Sequence, residues 1–270
     1  MSKNYLSIYA KSFSWAGFFL PKTIYQKCSI LYNFCRSLDD IADQDLNLDI
    51  KIKQFNEFKN KFLNRNTKDQ IVNDMLELIN SCKISEKIVY DLFDGVESDL
   101  TKEVKINSKK ELLIYSYRVA GTVGLMMAKI LNVKKENSLK DAIDLGIAMQ
   151  LTNISRDVVE DRKKNRKYID ANFESIKNTL NTAETFYKSS FPSISNIPIR
   201  CRFAIIVARR VYRQIGNNIL KKKDIENYNK SGKVYVSNLG KFFQTVLSLY
   251  DFLILLIINT KEHGKDAEHQ

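Results

Sequence analysis

The sequence predicts an all-α fold organised as one helical domain, and three observations predict it. Glycine (9) and proline (3) are scarce in a chain of 270 residues, fewer than the turns of a β-rich fold of this size demand. Apolar residues recur at helical spacing wherever they are dense, and no stretch alternates convincingly in the manner of a half-buried strand. The connectors are short and polar, none long enough to separate a pair of domains, and there is no internal repeat.

Taken in order, the periodicity predicts helices over about 22–44, 49–64, 67–82, 84–101, 107–132, 138–165, 176–190, 198–222 and 234–259, with ends placed to ~2–4 residues. Pro21 opens the first helix, because proline fits a first turn that needs no intrahelical donor. The segments NLNLD, NRNTKDQ, KINSKK and NVKKENS read as connectors, and FPSISNIP, with Pro192 and Pro198, as a loop. Residues 1–10 and 260–270 read as flexible tails. The run VLSLYDFLILLII, Val246 to Ile258, is strongly apolar but contains Asp251. It is too short and interrupted for a transmembrane span and reads as a core helix, with a helix lying on a membrane surface as the alternative.

The formal charge of +12 selects no partner. Solvated lysine accounts for it as well as an anionic substrate, an anionic membrane or nucleic acid would. Cys28, Cys35, Cys82 and Cys201 are scattered without metal-like spacing and read as reduced core thiols of a cytoplasmic protein. The two histidines, His263 and His269, lie in the polar C-terminal tail. That argues against a Ser-His or Cys-His nucleophile and a His-ligated zinc, and leaves carboxylates and Arg/Lys to carry any chemistry. No Gly-rich phosphate loop is present, and MSKNYLSIYAKSFSW lacks the apolar run of a signal peptide.

Two acidic segments stand out. In LYNFCRSLDDIADQ, a helix places Tyr32, Arg36, Asp39 and Asp43 on one face, with Asp40 to the side. Carboxylates four apart repel, so Asp39 with Asp43 is a cost unless a cation bridges them. The apolar neighbours Leu31, Phe34, Leu38 and Ile41 argue against a merely solvated acidic surface. In GIAMQLTNISRDVVEDRKKNRKY, Gln150, Asn153, Asp157 and Asp161 share a second face, beside Arg156. Two such strips facing across a cavity could hold several Mg²⁺ ions, which take one or two carboxylates together with substrate phosphate oxygens. Arg36 and Arg156 suit the remaining diphosphate oxygens.

Between the strips, YSYRVAGTVGLMMAKIL carries Ala120, Gly121 and Gly124 inside an apolar helix. Close helix packing and room for a long apolar ligand both explain these small residues. Ala16 and Gly17, beside Phe13, Trp15 and Phe18, invite the same pair of readings.

These motifs, in this order, resemble those of the squalene/phytoene synthase family over roughly residues 11 to 241, and within it KSFSWAGFFLP, VAGTVGLMMAKIL and QLTNISRDVVED look most like the bacterial phytoene-forming members. Asp39–Asp43 corresponds to the first acidic motif, and Asn153, Asp157 and Asp161 to the second. Two positions depart from the pattern. Asp170 stands where a proline is expected after Arg166 and Tyr168, and Lys233, in KVYVSNLGK, stands where an arginine is usual.

The resemblance implies an isoprenoid-synthase helical bundle with a deep central cavity. Two geranylgeranyl diphosphates, or farnesyl diphosphates in the nearest rival, would bind through Mg²⁺ (Mn²⁺ as alternative) held by Asp39, Asp43, Asn153, Asp157 and Asp161. Diphosphate loss would give an allylic cation, captured by the second substrate as a cyclopropylcarbinyl diphosphate. A second ionisation, rearrangement and proton loss would follow, with no NADPH. Arg36, Arg156 and Tyr228 match positions near the diphosphates, Lys11 and Ser12 are within reach of phosphate, and Phe13, Tyr32 and Tyr115 would line the cavity as cation-stabilising aromatics. The expected setting is cytoplasmic, peripheral on a membrane surface, as a monomer or weak dimer. The basic runs KKNRK (163–167) and KKK (221–223) suggest a nucleic-acid binder, but they lack interleaved stacking aromatics. Intact aspartates in both strips argue against a helical assembly factor that has lost catalysis.

Overall fold

The computed structural model describes residues 15–267, with side chains described as far as 257. The described residues form α1 (Lys22–Asp43), α2 (Leu48–Leu63), α3 (Gln70–Cys82), α4 (Glu86–Glu97), α5 (Lys109–Ser116), α6 (Thr122–Ile130), α7 (Glu136–Lys163), α8 (Phe173–Ser189), α9 (Ile199–Leu220), α10 (Ile225–Lys230) and α11 (Asn238–Ala267). The all-α expectation holds. Side-chain caps set several starts: Asp69 accepts from the amides of Ile71 and Val72, Ser108 from Glu111, Asn172 from Ser175 and Asp224 from Asn227, each satisfying a donor that a helix start leaves unpaired.

Five differences from the sequence reading matter. The stretch read as one helix over 107–132 contains a π turn, Tyr117–Gly121, between α5 and α6. The loop at FPSISNIP holds a 3-10 turn, Pro192–Asn196, and α10 is an extra short helix. A two-residue parallel ladder pairs β1 (Val104–Lys105) with β2 (Arg166–Lys167), too short to show an alternation. The last helix runs on to Ala267, so the C-terminal tail expected from 260 is partly helical.

The long helix α7 packs against α5, the π turn, α6, α8 and α9, and α1 packs against α2, α3 and α6. Phe34, Phe55, Phe62 and Phe93 knit α1, α2 and α4 into a buried aromatic cluster. Gly124 and Gly146 let α6 and α7 touch backbone to backbone, since a Cβ on Gly124 would collide with the Ala142 carbonyl and one on Gly146 with that of Ala120. Cys28 and Cys201 are buried and all four cysteines are free, but Cys35 and Cys82 are only half-buried.

Helix α11 corrects the core-helix expectation. Its inward face is largely polar: Gln244, Ser248 and Asp251 are buried, with Leu255 the fully buried apolar residue beside them, and Arg210 of α9 grips Asp251 through two bonds of 2.6 and 2.7 Å. Its apolar face, Leu239, Phe242, Phe243, Val246, Leu249, Leu253 and Ile257, points outward. Asp251 reads from sequence as an interruption of an apolar run, whereas it is the anchor that turns that run toward the outside.

Candidate active site

One end of each acidic strip opens on a common cavity. Tyr32 and Asp39 from α1 line it together with Gln150 and Asn153 from α7. Below this mouth the walls become apolar, with Val123, Met127, Leu145, Met149 and Ala208, and the cavity holds about 260 Å³. A smaller apolar branch of about 90 Å³ runs toward Ala16, Gly17 and Leu20 and shares Tyr32, Cys35, Val123, Met127, Ile205 and Ala208 with the first. Ala120 and Gly124 serve both functions suggested for them, since they line the cavity and pack closely. Gly121 faces Ile143 and Tyr117 and serves packing.

The mouth contains more carboxylates than its cations pair. Asp43 receives Arg166 Nη1 at 2.7 Å and Lys164 Nζ at 3.1 Å; burial opposes its ionisation, but these cations outweigh burial and hold the carboxyl below its usual range. Asp157 is gripped by Arg156 through bonds of 2.8 and 2.6 Å and by Lys233 at 3.2 Å. Asp39 and Asp161 have no such partner among the described residues. Burial first, then the like charge of Asp43 on Asp39 and of Asp157 on Asp161, pushes both carboxyls up to about 7. Asp39 is exposed to the cavity while protein surrounds its other sides, so cavity water tempers that effect.

These groups fit a hard divalent cation. Asn153 Oδ1 is buried and accepts no hydrogen bond, an expensive state for an amide oxygen unless something binds it. Carboxylate and amide oxygens are the donors Mg²⁺ takes. No three acidic, histidine or cysteine side chains among the described residues close into a ready cage, which suits an ion that completes its shell with water and substrate oxygen.

Several residues escaped the sequence reading or do something other than expected there. Asp99, just beyond α4, accepts from the hydroxyls of Tyr115 and Tyr168 at 2.7 Å each and adds its charge to that around Asp39 and Asp161. Nothing in the sequence marks it, since it is one acid among many in a segment of mixed polarity. Tyr115 therefore does not form the apolar cavity wall expected of it: its ring stacks on Tyr168, centroids 4.7 Å apart, with its hydroxyl held by Asp99. Tyr228 is buried, and its hydroxyl lies 3.0 and 2.8 Å from the carbonyls of Ser155 and Arg156, so it braces α7 and positions Arg156. Arg36 pairs with Asp40 at 2.6 Å. Lys233 keeps a cation on Asp157 despite replacing the usual arginine, and Asp170, in place of the proline, pairs with Lys167 at 2.7 Å. Tyr212, on α9, is an unanticipated aromatic in the wall. Lys11, Ser12 and Phe13 lie outside the described residues.

Comparison with known proteins agrees with this architecture. The squalene/phytoene synthase family model matches residues 6–172. The chain is 30% identical to a phytoene synthase of Pseudescherichia vulneris over 77% of either chain, and 29% identical to a 15-cis-phytoene synthase of Pantoea ananas over 78% of this chain and 79% of that one. In structure it is similar to a dehydrosqualene synthase crystallised with a ligand, at a TM-score of 0.75 and 26% identity over 91% of this chain and 93% of the other. An oily cavity beneath two facing carboxylate strips, on a chain matched this widely, belongs to one family: the protein is a member of the squalene/phytoene synthases, which are prenyltransferases.

Proposed function

We propose that this protein is a phytoene synthase, joining two geranylgeranyl diphosphates head to head through a cyclopropylcarbinyl diphosphate and releasing both diphosphates. One observation carries the chemistry: a forked apolar cavity whose mouth is lined by Asp39, with no cation bonded to it among the described residues, and by Asn153, whose buried Oδ1 accepts no hydrogen bond. A ligand with long hydrocarbon tails and a polyanionic head, bound through divalent metal, matches both halves. The identities to named phytoene synthases favour the C20 substrate.

Asp39, Asp43, Asn153, Asp157 and Asp161 would hold Mg²⁺, or Mn²⁺ in its place, and the bound ion would neutralise the diphosphate as it leaves. The chain's own cations complete the head-group site: Arg156 and Lys233 beside Asp157, Arg166 and Lys164 beside Asp43. Each is already paired to a carboxylate that metal would claim, so metal binding would free it to turn toward phosphate oxygens. The apolar walls keep water from a carbocation, and the rings of Tyr32 and Tyr212 line the same space, where cation–π attraction is worth ~0.5–2 kcal/mol. No reductant takes part. The exposed apolar face of α11 and the basic surface suit a cytoplasmic enzyme, monomer or weak dimer, that sits peripherally on a membrane where its hydrocarbon product dissolves.

The test is incubation of purified protein with geranylgeranyl diphosphate and Mg²⁺, without NADPH. A C40 product with the ultraviolet spectrum of a conjugated triene is expected. A second reading, condensation of farnesyl diphosphate, is favoured by the similarity to a dehydrosqualene synthase; a C30 product formed in preference to C40 would establish it instead.

A further inference from the structure

The end of the main cavity away from the acidic mouth is polar. There the first turns of α7 meet the 3-10 turn Pro192–Asn196. The Ser193 hydroxyl donates to the Asp141 carboxylate, and Asn196 Nδ2 donates to Ser138 Oγ at 3.1 Å. Asp141, Ser138 and Ser193 all line the cavity, alongside the apolar Leu131 and Val133. The turn is held from behind by Arg202, 4% exposed, whose guanidinium donates to the Ser195 and Ile197 carbonyls. An apolar space thus ends on a carboxylate latched to a clamped turn.

We propose that this latch is the stop that measures the prenyl chain, and that Asp141 is a specificity-determining residue for substrate length. The inference rests on reading the cavity as a prenyl diphosphate site. Asp141 lies about 18 Å along α7 from Asn153, by the rise of a helix. An extended chain advances ~1.2 Å per bond, so the main chain of a C20 prenyl group reaches about 18 Å and that of a C15 group about 13 Å. The C20 tail ends at the latch, while the C15 tail stops one prenyl unit short and leaves the floor uncovered. A C25 tail would have to displace the water around the Asp141 carboxylate without replacing its hydrogen bonds, or break the bond to Ser193, and both are costly. The serine-rich turn and Asp141 therefore close the cavity chemically as well as sterically.

The experiment is competition among C15, C20 and C25 all-trans prenyl diphosphates in one reaction with Mg²⁺, reading incorporation into products by mass. A ratio within one reaction does not depend on the amount of folded protein. Wild type is expected to incorporate C20 over C25. Asp141→Ala should raise the C25 to C20 ratio at least tenfold, since single methylenes already discriminate by ~10–200-fold in apolar pockets. Asp141→Asn keeps an acceptor for Ser193 and removes the charge; it should move the ratio several-fold in the same direction, and it provides the comparison if the alanine variant does not fold. An unchanged ratio in a folded variant overturns the proposal and makes the latch purely structural. Wild type that turns over none of the three removes the catalytic reading and this inference with it, a result distinct from active wild type with an insensitive Asp141.

Discussion

Arg166 ties the end of one acidic helix to the end of the other: its guanidinium donates to Asp43 at 2.7 Å and to the Ala42 carbonyl at 3.1 Å. The reach depends on β2, where the Val104 amide donates to the Asn165 carbonyl and that of Ile106 to Lys167, both at 3.0 Å. Asn165 turns the chain with φ of 55°, a left-handed conformation that asparagine tolerates better than most residues. The two-residue ladder thus sets the position of a cation over the mouth.

Arg166→Lys keeps the charge but loses the fork that spans a carboxylate and a carbonyl. Turnover with prenyl diphosphate should fall at least tenfold while the helical circular dichroism spectrum stays unchanged. A variant with wild-type rate would show that Arg166 serves only to lock the two helix ends.

Asp39→Asn and Asp157→Asn should each lower turnover by orders of magnitude and leave the fold in place, because an amide keeps the carboxylate's shape: at Asp39 the lost charge relieves repulsion, and at Asp157 it loosens only the contacts of Arg156 and Lys233. EDTA should abolish activity and Mg²⁺ restore it. Divalent ion should also raise the thermal midpoint of wild type, and less so in Asp161→Asn, since a ligand that binds only the folded chain stabilises it. Either aspartate variant retaining near wild-type rate with Mg²⁺ would remove it from the metal site.

Glu184 gives a pH dependence distant from the mouth. Burial opposes its ionisation, but two bonds from Arg213 outweigh burial and pull its carboxyl below the ordinary value of 4.5. A depressed folded pKa means that the stabilisation is present above 4.5 and is lost as pH falls through the folded value. Glu184→Gln should flatten the decline in thermal midpoint below pH ~4.5 by the share of this one pair, at most ~1 kcal/mol for a half-exposed ion pair. Parallel acid unfolding of variant and wild type would show that the pair contributes nothing.

The outward apolar stripe of α11 predicts sedimentation with anionic liposomes at low salt and release at high salt. Leu249→Glu with Leu253→Glu, both on the exposed face, should abolish the binding without affecting turnover of detergent-solubilised substrate. Wild type that stays in the supernatant at low ionic strength would end the membrane assignment and leave the catalytic one untouched.

Much of the site can be read in one dimension because its chemistry follows helical spacing. Asp39 with Asp43, and Asn153 with Asp157 and Asp161, are neighbours on a helix face whatever the bundle does, and the scarcity of glycine and proline makes those helices legible. Tertiary structure decided what comes from elsewhere in the chain. Asp99 joins the aspartates only because α4 ends beside α1, and Tyr115 turns toward Asp99 because Tyr168 stacks on it. The orientation of α11 could not be read from its composition, since a run of leucine and isoleucine is equally suited to a core and to an outer surface. The pair of Arg210 with Asp251 settles it: a carboxylate needs a directed partner, which Asp251 finds on α9, whereas an apolar side chain has no directional requirement, so the face that carries Gln244, Ser248 and Asp251 turns inward and the stripe from Leu239 to Leu253 outward.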